Sequence, residues 1–147
     1  MSFKAVIEIP AYSKYKYEMD KESGILILDR PLNQHIPHNY GFIPETLAED
    51  QDPLDVFIIT ESPLVPGSHC KINLMGIMIC NDNGIPDHKI IATLKDENLT
   101  SYWPLQLERI VRYLKTYKNG FEYHLFSNEI DARHEIETCQ KRYLSKS

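Results

Sequence analysis

The sequence predicts a mainly β fold of the α+β class, a small closed or nearly closed β-barrel with two helices packed on it. Two observations carry this. Proline and glycine recur from Pro10 to Pro86, which forbids long helices there and suits short strands joined by turns. After Asn98 the apolar residues adopt helical spacing, so strands come first and helices last. No repeat, low-complexity segment or linker divides residues 1–147, which read as one domain.

Phe3–Ile9 reads as the first strand. Lys14–Met19 alternates with period two, placing Tyr15, Tyr17 and Met19 on one face and Lys14, Lys16 and Glu18 on the other. Gly24 breaks the chain before a strand at Ile25–Asp29, and Pro31–Glu49 reads mostly as loop. Val56–Thr60 is a short buried strand. His69–Cys80 is a longer one with a bend near Gly76, and Asn81–Gly84 is a turn. The chain returns at Lys89–Leu94. Thr100 or Ser101 caps a helix near Pro104, whose apolar face is Leu107, Ile110, Val111, Leu114 and Tyr117; Asn119-Gly120 ends it. Phe121–Phe126 is a last strand. Ser127 or Asn128 opens a final helix to about Leu144, with Ala132, Ile136, Cys139 and Tyr143 inward.

Composition excludes several classes. Hydrophobic residues at 42% and charged residues at 25% disfavour disorder, collagen and coiled coil. The charge of −5, from 16 basic against 21 acidic residues, argues against a duplex-DNA binder. A single-strand binder needs aromatics interleaved with basic groups on one face, and the Tyr and Lys residues at 14–17 point to opposite faces. Three scattered cysteines make no disulfide framework and no CxxC zinc site. There is no signal-peptide pattern, and the apolar runs are too short to span a bilayer, so a cytoplasmic protein is expected.

The sharpest local feature is Glu49-Asp50-Gln51-Asp52-Pro53-Leu54-Asp55, four acids in seven residues beside an apolar strand. Such acids repel one another unless solvent or a cation compensates. Carboxylates suit hard divalent ions, and Pro53 stiffens the turn, but the spacing is not an EF-hand. Asp82 and Asp87 flank a second turn and join the first cluster if the two strand ends are neighbours. Taken alone, both groups fit solvated, capping loops and turns better than ligands. A substrate bridging metals held by acids is itself anionic and needs Lys, Arg or Tyr donors. Lys16, Arg30, Tyr40, Lys89, Tyr117 and Lys118 are the candidates; each alone also fits a surface, turn or helix-end role. Walker A, GxGxxG, HExxH and GxSxG motifs are absent. The six histidines form no ligand spacing, although His35 and His38 qualify as polar lining, and Cys80 suits the core better than a nucleophile.

Together these segments acquire a specific pattern. Asp50-Gln51-Asp52-Pro53-Leu54-Asp55-Val56 resembles the signature of the soluble family I inorganic pyrophosphatases, bacterial type. Glu8-Ile9-Pro10, Lys16-Tyr17-Glu18, Leu28-Asp29-Arg30 and Asn39-Tyr40-Gly41-Phe42-Ile43-Pro44 resemble the family's earlier strands, and the order holds through Asp82, Asp87, Lys89, Tyr117 and Lys118. The likeness covers residues 3–118 well and the last helix loosely. Gln51 stands where relatives often have glycine, Ile36 where they often have tyrosine, and Phe126 where tryptophan is common.

The resemblance implies a five-stranded, OB-like barrel with flanking helices and magnesium-dependent hydrolysis of inorganic diphosphate to two orthophosphates. It implies Asp50, Asp55 and Asp87 as primary metal ligands, with Asp55 bridging two ions. Asp82 is implied as a further ligand, and Glu18 and Glu8 as acids reaching metals through water. Asp52 is implied as acceptor of the attacking water's proton. Lys16, Arg30, Tyr40, Lys89, Tyr117 and Lys118 are implied to bind phosphate, and Lys16, Arg30 and Tyr40 also to assist catalysis. Several Mg2+ ions, replaceable by Mn2+ or other divalent ions, are the implied cofactors. The implied partners are diphosphate and phosphate, with no nucleic acid or membrane, and a homo-oligomer with a hexamer favoured.

Overall fold

The computed structural model describes residues 3–20, 22–97 and 103–146. Nine strands and two helices follow one another as β1 (Phe3–Ile9), β2 (Tyr15–Met19), β3 (Leu26–Pro31), β4 (Asn39–Ile43), β5 (Leu54–Ile59), β6 (His69–Asp82), β7 (Ile85–Pro86), β8 (Lys89–Leu94), α1 (Trp103–Tyr117), β9 (Phe121–Ser127) and α2 (Glu129–Ser145), among the described residues. β1, β4, β5, β8 and β6 pair in that order, and β6 pairs back onto β1. The ring therefore closes, which removes the sheet edges an open five-stranded sheet would expose. β2 and β3 form a separate hairpin, and β9 adds to β6.

Three sequence expectations need correcting. Pro31–Glu49, read mostly as loop, contains the ring strand β4. Pro37 and Pro44 bracket it, and Gly41 inside it obscures the strand pattern. That glycine has a steric cause: a Cβ there would lie 1.9 Å from the Val6 carbonyl oxygen on the paired strand. β5 begins at Leu54, not Val56, so Asp55 belongs to a strand rather than to the acidic loop. Tyr143 is 41% exposed, because the apolar face of α2 is only Ala132, Ile136 and Cys139 wide. The expected Thr100 or Ser101 cap lies outside the described residues. Asn128 caps α2 as expected, its side chain accepting the Asp131 N–H at 3.0 Å.

β5 and β8 are buried on both faces. Val56 and Ile58 join a core with Ala5, Ile7, Ile90 and Ala92, into which α2 sets Ala132, Ile136 and Cys139. Phe57 and Ile59, on the opposite face of β5, join Met78, Cys80 and Ile91 beneath Ile110, Tyr113 and Leu114 of α1. Burial of one such large aliphatic side chain contributes about 1.5–3 kcal/mol. The bend in β6 falls between Leu74 and Gly76, where the register with β8 shifts by one residue. A Cβ at Gly76 would lie 2.2 Å from the Ser127 carbonyl oxygen, so glycine is what lets β9 approach there.

Candidate active site

The two acidic segments meet. A cavity of about 470 Å³ is lined by Glu8, Glu18, Asp50, Asp52, Asp55, Asp82 and Asp87, together with Lys16, Arg30, Tyr40, Tyr117 and Lys118. Strand register accounts for most of this convergence. β5 and β8 run parallel with Asp55 opposite Lys89, which brings the 55 and 87–89 positions together. Lys16 and Arg30 are register partners across the β2–β3 hairpin. Tyr40 on β4 pairs with Phe57 on β5, and their rings meet edge to face at 4.8 Å between centroids.

Asp82 and Asp87 are placed by the turn between β6 and β7. Asn83 and Gly84 have φ of 54° and 82°, the paired left-handed conformation of a tight hairpin turn. The Asp87 N–H donates to the Cys80 carbonyl at 2.9 Å, and the Asn83 N–H donates to the Gly120 carbonyl at 2.9 Å. The second bond docks the turn on the segment that follows α1 and so brings Lys118 to Asp82 and Asp87. Gly120 favours it, since a Cβ there would lie 1.9 Å from Asn83 Oδ1 and 3.1 Å from the Asn83 nitrogen, so the turn would have to shift.

Lys89 is fully buried, and its ammonium donates to Asp55 Oδ2 at 2.6 Å, Asp87 Oδ1 at 3.0 Å and Tyr40 Oη at 3.2 Å. Lys118 donates to Asp87 Oδ2 at 2.9 Å and reaches Asp82 Oδ2 at 3.5 Å. Burial pushes Asp87 up, but the charges of Lys89 and Lys118 and their hydrogen bonds outweigh it and hold the carboxyl at about 2. Burial opposes the charge on Lys89, yet Asp55 and its other partners hold the ammonium well above the ordinary lysine range. Burial, then the Asp55 charge, pushes Tyr40 well above the ordinary phenol range, so its hydroxyl stays protonated. Lys89 was expected among the phosphate binders; it is placed beneath the acids as their counter-ion rather than among the side chains lining the cavity.

The opposite wall differs. Glu8 is pushed up to about 7 by burial, only partly offset by Lys16, with Asp55, Glu18 and Asp52 adding repulsion. Asp50 is also raised, by burial first and then by Asp87, Asp55 and Asp52. Among the described residues, Glu8, Glu18, Asp50 and Asp52 form no ion pair within 4 Å. Asp50 Oδ1 accepts the Asp52 N–H at 3.0 Å, a turn that sends the two carboxylates the same way. Gln51 between them has φ of 74°, the left-handed region where a non-glycine residue costs about 1–2 kcal/mol.

Among the described residues, no three His, Cys, Asp or Glu groups gather closely enough to hold an ion as they stand. The donor chemistry nevertheless fits a hard divalent cation. Seven carboxylates line the cavity against three cationic side chains, and two of the acids are raised by burial first and then by their neighbouring acids. His35 and His38, expected as polar lining, are not among the lining residues. His35 Nδ1 lies 2.7 Å from the Tyr12 carbonyl, and His38 is buried beside Gln106. Cys80 is fully buried and pushed up to about 12 by that burial, which leaves no reactive thiolate.

The residue that sequence reasoning missed is Tyr113. Its ring stacks on Tyr117 at 5.5 Å and lines the cavity, while Arg30 Nη2 donates to Tyr117 Oη at 2.6 Å. Its signal was the i, i+4 spacing from Tyr117 on α1.

A model described as inorganic pyrophosphatase matches residues 5–144. A soluble inorganic pyrophosphatase of Zea mays is 41% identical over 127 residues, covering 80% of this chain and 59% of its own length. Soluble inorganic pyrophosphatase 5 of Arabidopsis thaliana is 42% identical over the same shares. The chain thus spans about three fifths of the plant relatives it matches. An inorganic pyrophosphatase structure from Coxiella burnetii superposes with a TM-score of 0.86 at 33% identity, covering 97% of this chain and 95% of its own. One from Helicobacter pylori gives 0.88 at 33%, covering 97% and 94%. The match runs from the first ring strand through the last helix, and by it the chain belongs to the inorganic pyrophosphatase family.

Proposed function

We infer that the cavity hydrolyses inorganic diphosphate to two orthophosphates with magnesium. The observation that carries this is one cavity in which seven acids face Lys16, Arg30, Lys118 and three tyrosines. That arrangement suits a small polyanion bridged to cations. Asp50, Asp55, Asp82 and Asp87 would hold the ions, with Glu8 and Glu18 acting through water. When bound, magnesium would supply positive charge to the substrate's oxygens and lower the pKa of water.

The chain's own groups supply the rest. Asp52 is exposed and not ion-paired among the described residues, so it is free to accept the attacking water's proton. Arg30, oriented by the Tyr117 hydroxyl, and Lys16 beside it place positive charge on one side of the cavity. The protonated Tyr40 hydroxyl is a donor to a phosphate oxygen. Lys118 and Tyr117 bind on the α1 side, and Lys89 joins the phosphate set once cations take over the charge of Asp55 and Asp87. Phosphoryl transfer to water needs positioning and charge neutralisation, and no covalent enzyme intermediate.

No described helix is long and apolar enough to cross a membrane. A cytoplasmic location and a homo-oligomer, hexamer favoured, belong to the same reading; the word soluble in the relatives' names supports the first. The test is phosphate release from diphosphate with and without magnesium, for the native chain and for Asp52→Asn. We expect magnesium-dependent release, about 10²–10⁴-fold slower in the variant. Folded native protein that releases no phosphate with magnesium present would overturn the reading.

A further inference from the structure

The acidic loop is held from behind by the far end of the chain. Between β4 and β5 the backbone forms no strand or helix, only turns, yet it carries Asp50 and Asp52. Its internal bonds are short-range: the Ala48 N–H donates to the Asp52 carbonyl at 2.8 Å, the Gln51 N–H to the Ala48 carbonyl at 3.0 Å, the Asp52 N–H to Asp50 Oδ1 at 3.0 Å and Gln51 Nε2 to the Glu49 carbonyl at 3.3 Å. At its base, buried Thr46 ties the loop to the barrel, its hydroxyl donating to the Ile43 carbonyl and accepting the Leu54 N–H at 2.9 Å; nearer the acids, the attachment comes from α2. The Leu47 N–H donates to the Cys139 carbonyl at 3.0 Å, and Arg142 Nη1 donates to the Leu47 carbonyl at 2.7 Å, so both polar groups of Leu47 are taken by the helix. Ala48 packs in the same core cluster as Cys139. Beyond the helix end, the Lys146 ammonium meets Gln51 Oε1. Cys139 and Arg142 lie at i and i+3 on one face of the helix, and Lys146 is its C-cap residue.

We propose that Arg142 and Lys146 are positioning residues that hold the 47–52 loop so that Asp50 can bind a divalent cation with Asp52 placed beside it. This rests on the reading of the cavity given above. The physical need is plain. Glu49, Asp50 and Asp52 repel one another, and Gln51 adopts a backbone conformation that an unrestrained chain leaves. A loop free to relax would separate the carboxylates, and each ion bound would then have to order it again. Arg142 anchors the loop backbone at Leu47 and Lys146 the Gln51 side chain, and neither fills the site, since neither lines the cavity.

The test compares the native protein with Arg142→Ala, Arg142→Lys and Lys146→Ala in two measurements. In metal-free protein, amide exchange at 47–52 should quicken about tenfold in Arg142→Ala, with β5 unchanged. In a magnesium titration read by thermal stability, the half-maximal concentration should rise about tenfold in Arg142→Ala. It should rise less in Lys146→Ala and largely recover in Arg142→Lys. Loss of stability with an unchanged magnesium midpoint would reduce Arg142 to a structural role and overturn the proposal. Exchange in the loop that matches the native protein would overturn it as well. Lys146 is exposed, so its variant folds and keeps the test decisive if Arg142→Ala does not. A native protein indifferent to magnesium would strike the reading of the cavity itself, whereas a native response retained in both alanine variants would strike this proposal alone.

Discussion

Asp87 and Glu8 face the same cavity, yet one carboxyl is held at about 2 and the other at about 7. Burial pushes both upward; the difference is partners. Asp87 shares two lysines with Asp55 and Asp82, whereas Glu8 has acids around it and only Lys16 in opposition. One wall is electrostatically complete without any ion. The other carries uncompensated negative charge that folding alone does not neutralise. The lesson is that a cluster of like charges does not by itself tell which acids the fold neutralises; here it withholds counter-ions from Glu8, Glu18, Asp50 and Asp52, while Asp55, Asp82 and Asp87 share lysines.

The largest stability effect should come from breaking the complete wall. Lys89→Met leaves Asp55 and Asp87 without their buried partner, and should cost about 3–5 kcal/mol in denaturant unfolding of the metal-free protein. Magnesium should recover part of that loss; a loss below 1 kcal/mol would mean that the pair is well hydrated. Gly120→Ala should follow at about 1–3 kcal/mol, because its Cβ meets Asn83 and lifts the 82–87 turn from Lys118. The check is thermal unfolding together with phosphate release, both falling.

Glu8 offers a sharper probe of the other wall. Its folded value lies above its unfolded one, so the folded state binds the extra proton between about pH 4.5 and 7. The contribution of Glu8 to stability is therefore greatest below pH 4.5 and is lost as pH rises through 7. Asp87 works in the opposite sense: its contribution is present above pH 3.8 and lost as pH falls toward 2. With some water still reaching the carboxyl, Glu8→Gln should stabilise metal-free protein at pH 8 by about 2 kcal/mol and by almost nothing at pH 4.5. Equal melting shifts at both pH values would contradict this. Activity should fall as pH drops from 8 to 5 at fixed free magnesium, since protonated Glu8 no longer assists cation binding. The smallest effect is expected for Gln51→Gly, within about 1 kcal/mol by unfolding, because relief of the left-handed strain opposes loss of the Lys146 contact.

Both the barrel class and the charged set were legible in the sequence, for different reasons. Strand alternation and late helical spacing gave the strands-then-helices order, while β4 stayed hidden because Gly41 serves a backbone approach to Val6 rather than a turn. The DQDPLD segment marked the acidic loop, but no local pattern tells which acids receive lysines. That depends on the parallel β5–β8 register that sets Asp55 opposite Lys89, and on Gly120 docking the distant 82–87 turn. Arg142 and Lys146 lay beyond reach for the same reason, since their contacts to Leu47 and Gln51 span 95 residues.

The central claim is that one wall of the cavity lacks its counter-ions and receives them from solution. A calorimetric titration of metal-free protein with magnesium at pH 7, run in two buffers of different ionisation heat, measures it directly. The account predicts binding with proton release, the release disappearing in Glu8→Gln while binding persists. Binding heats that are independent of buffer, or no binding at all, would contradict it.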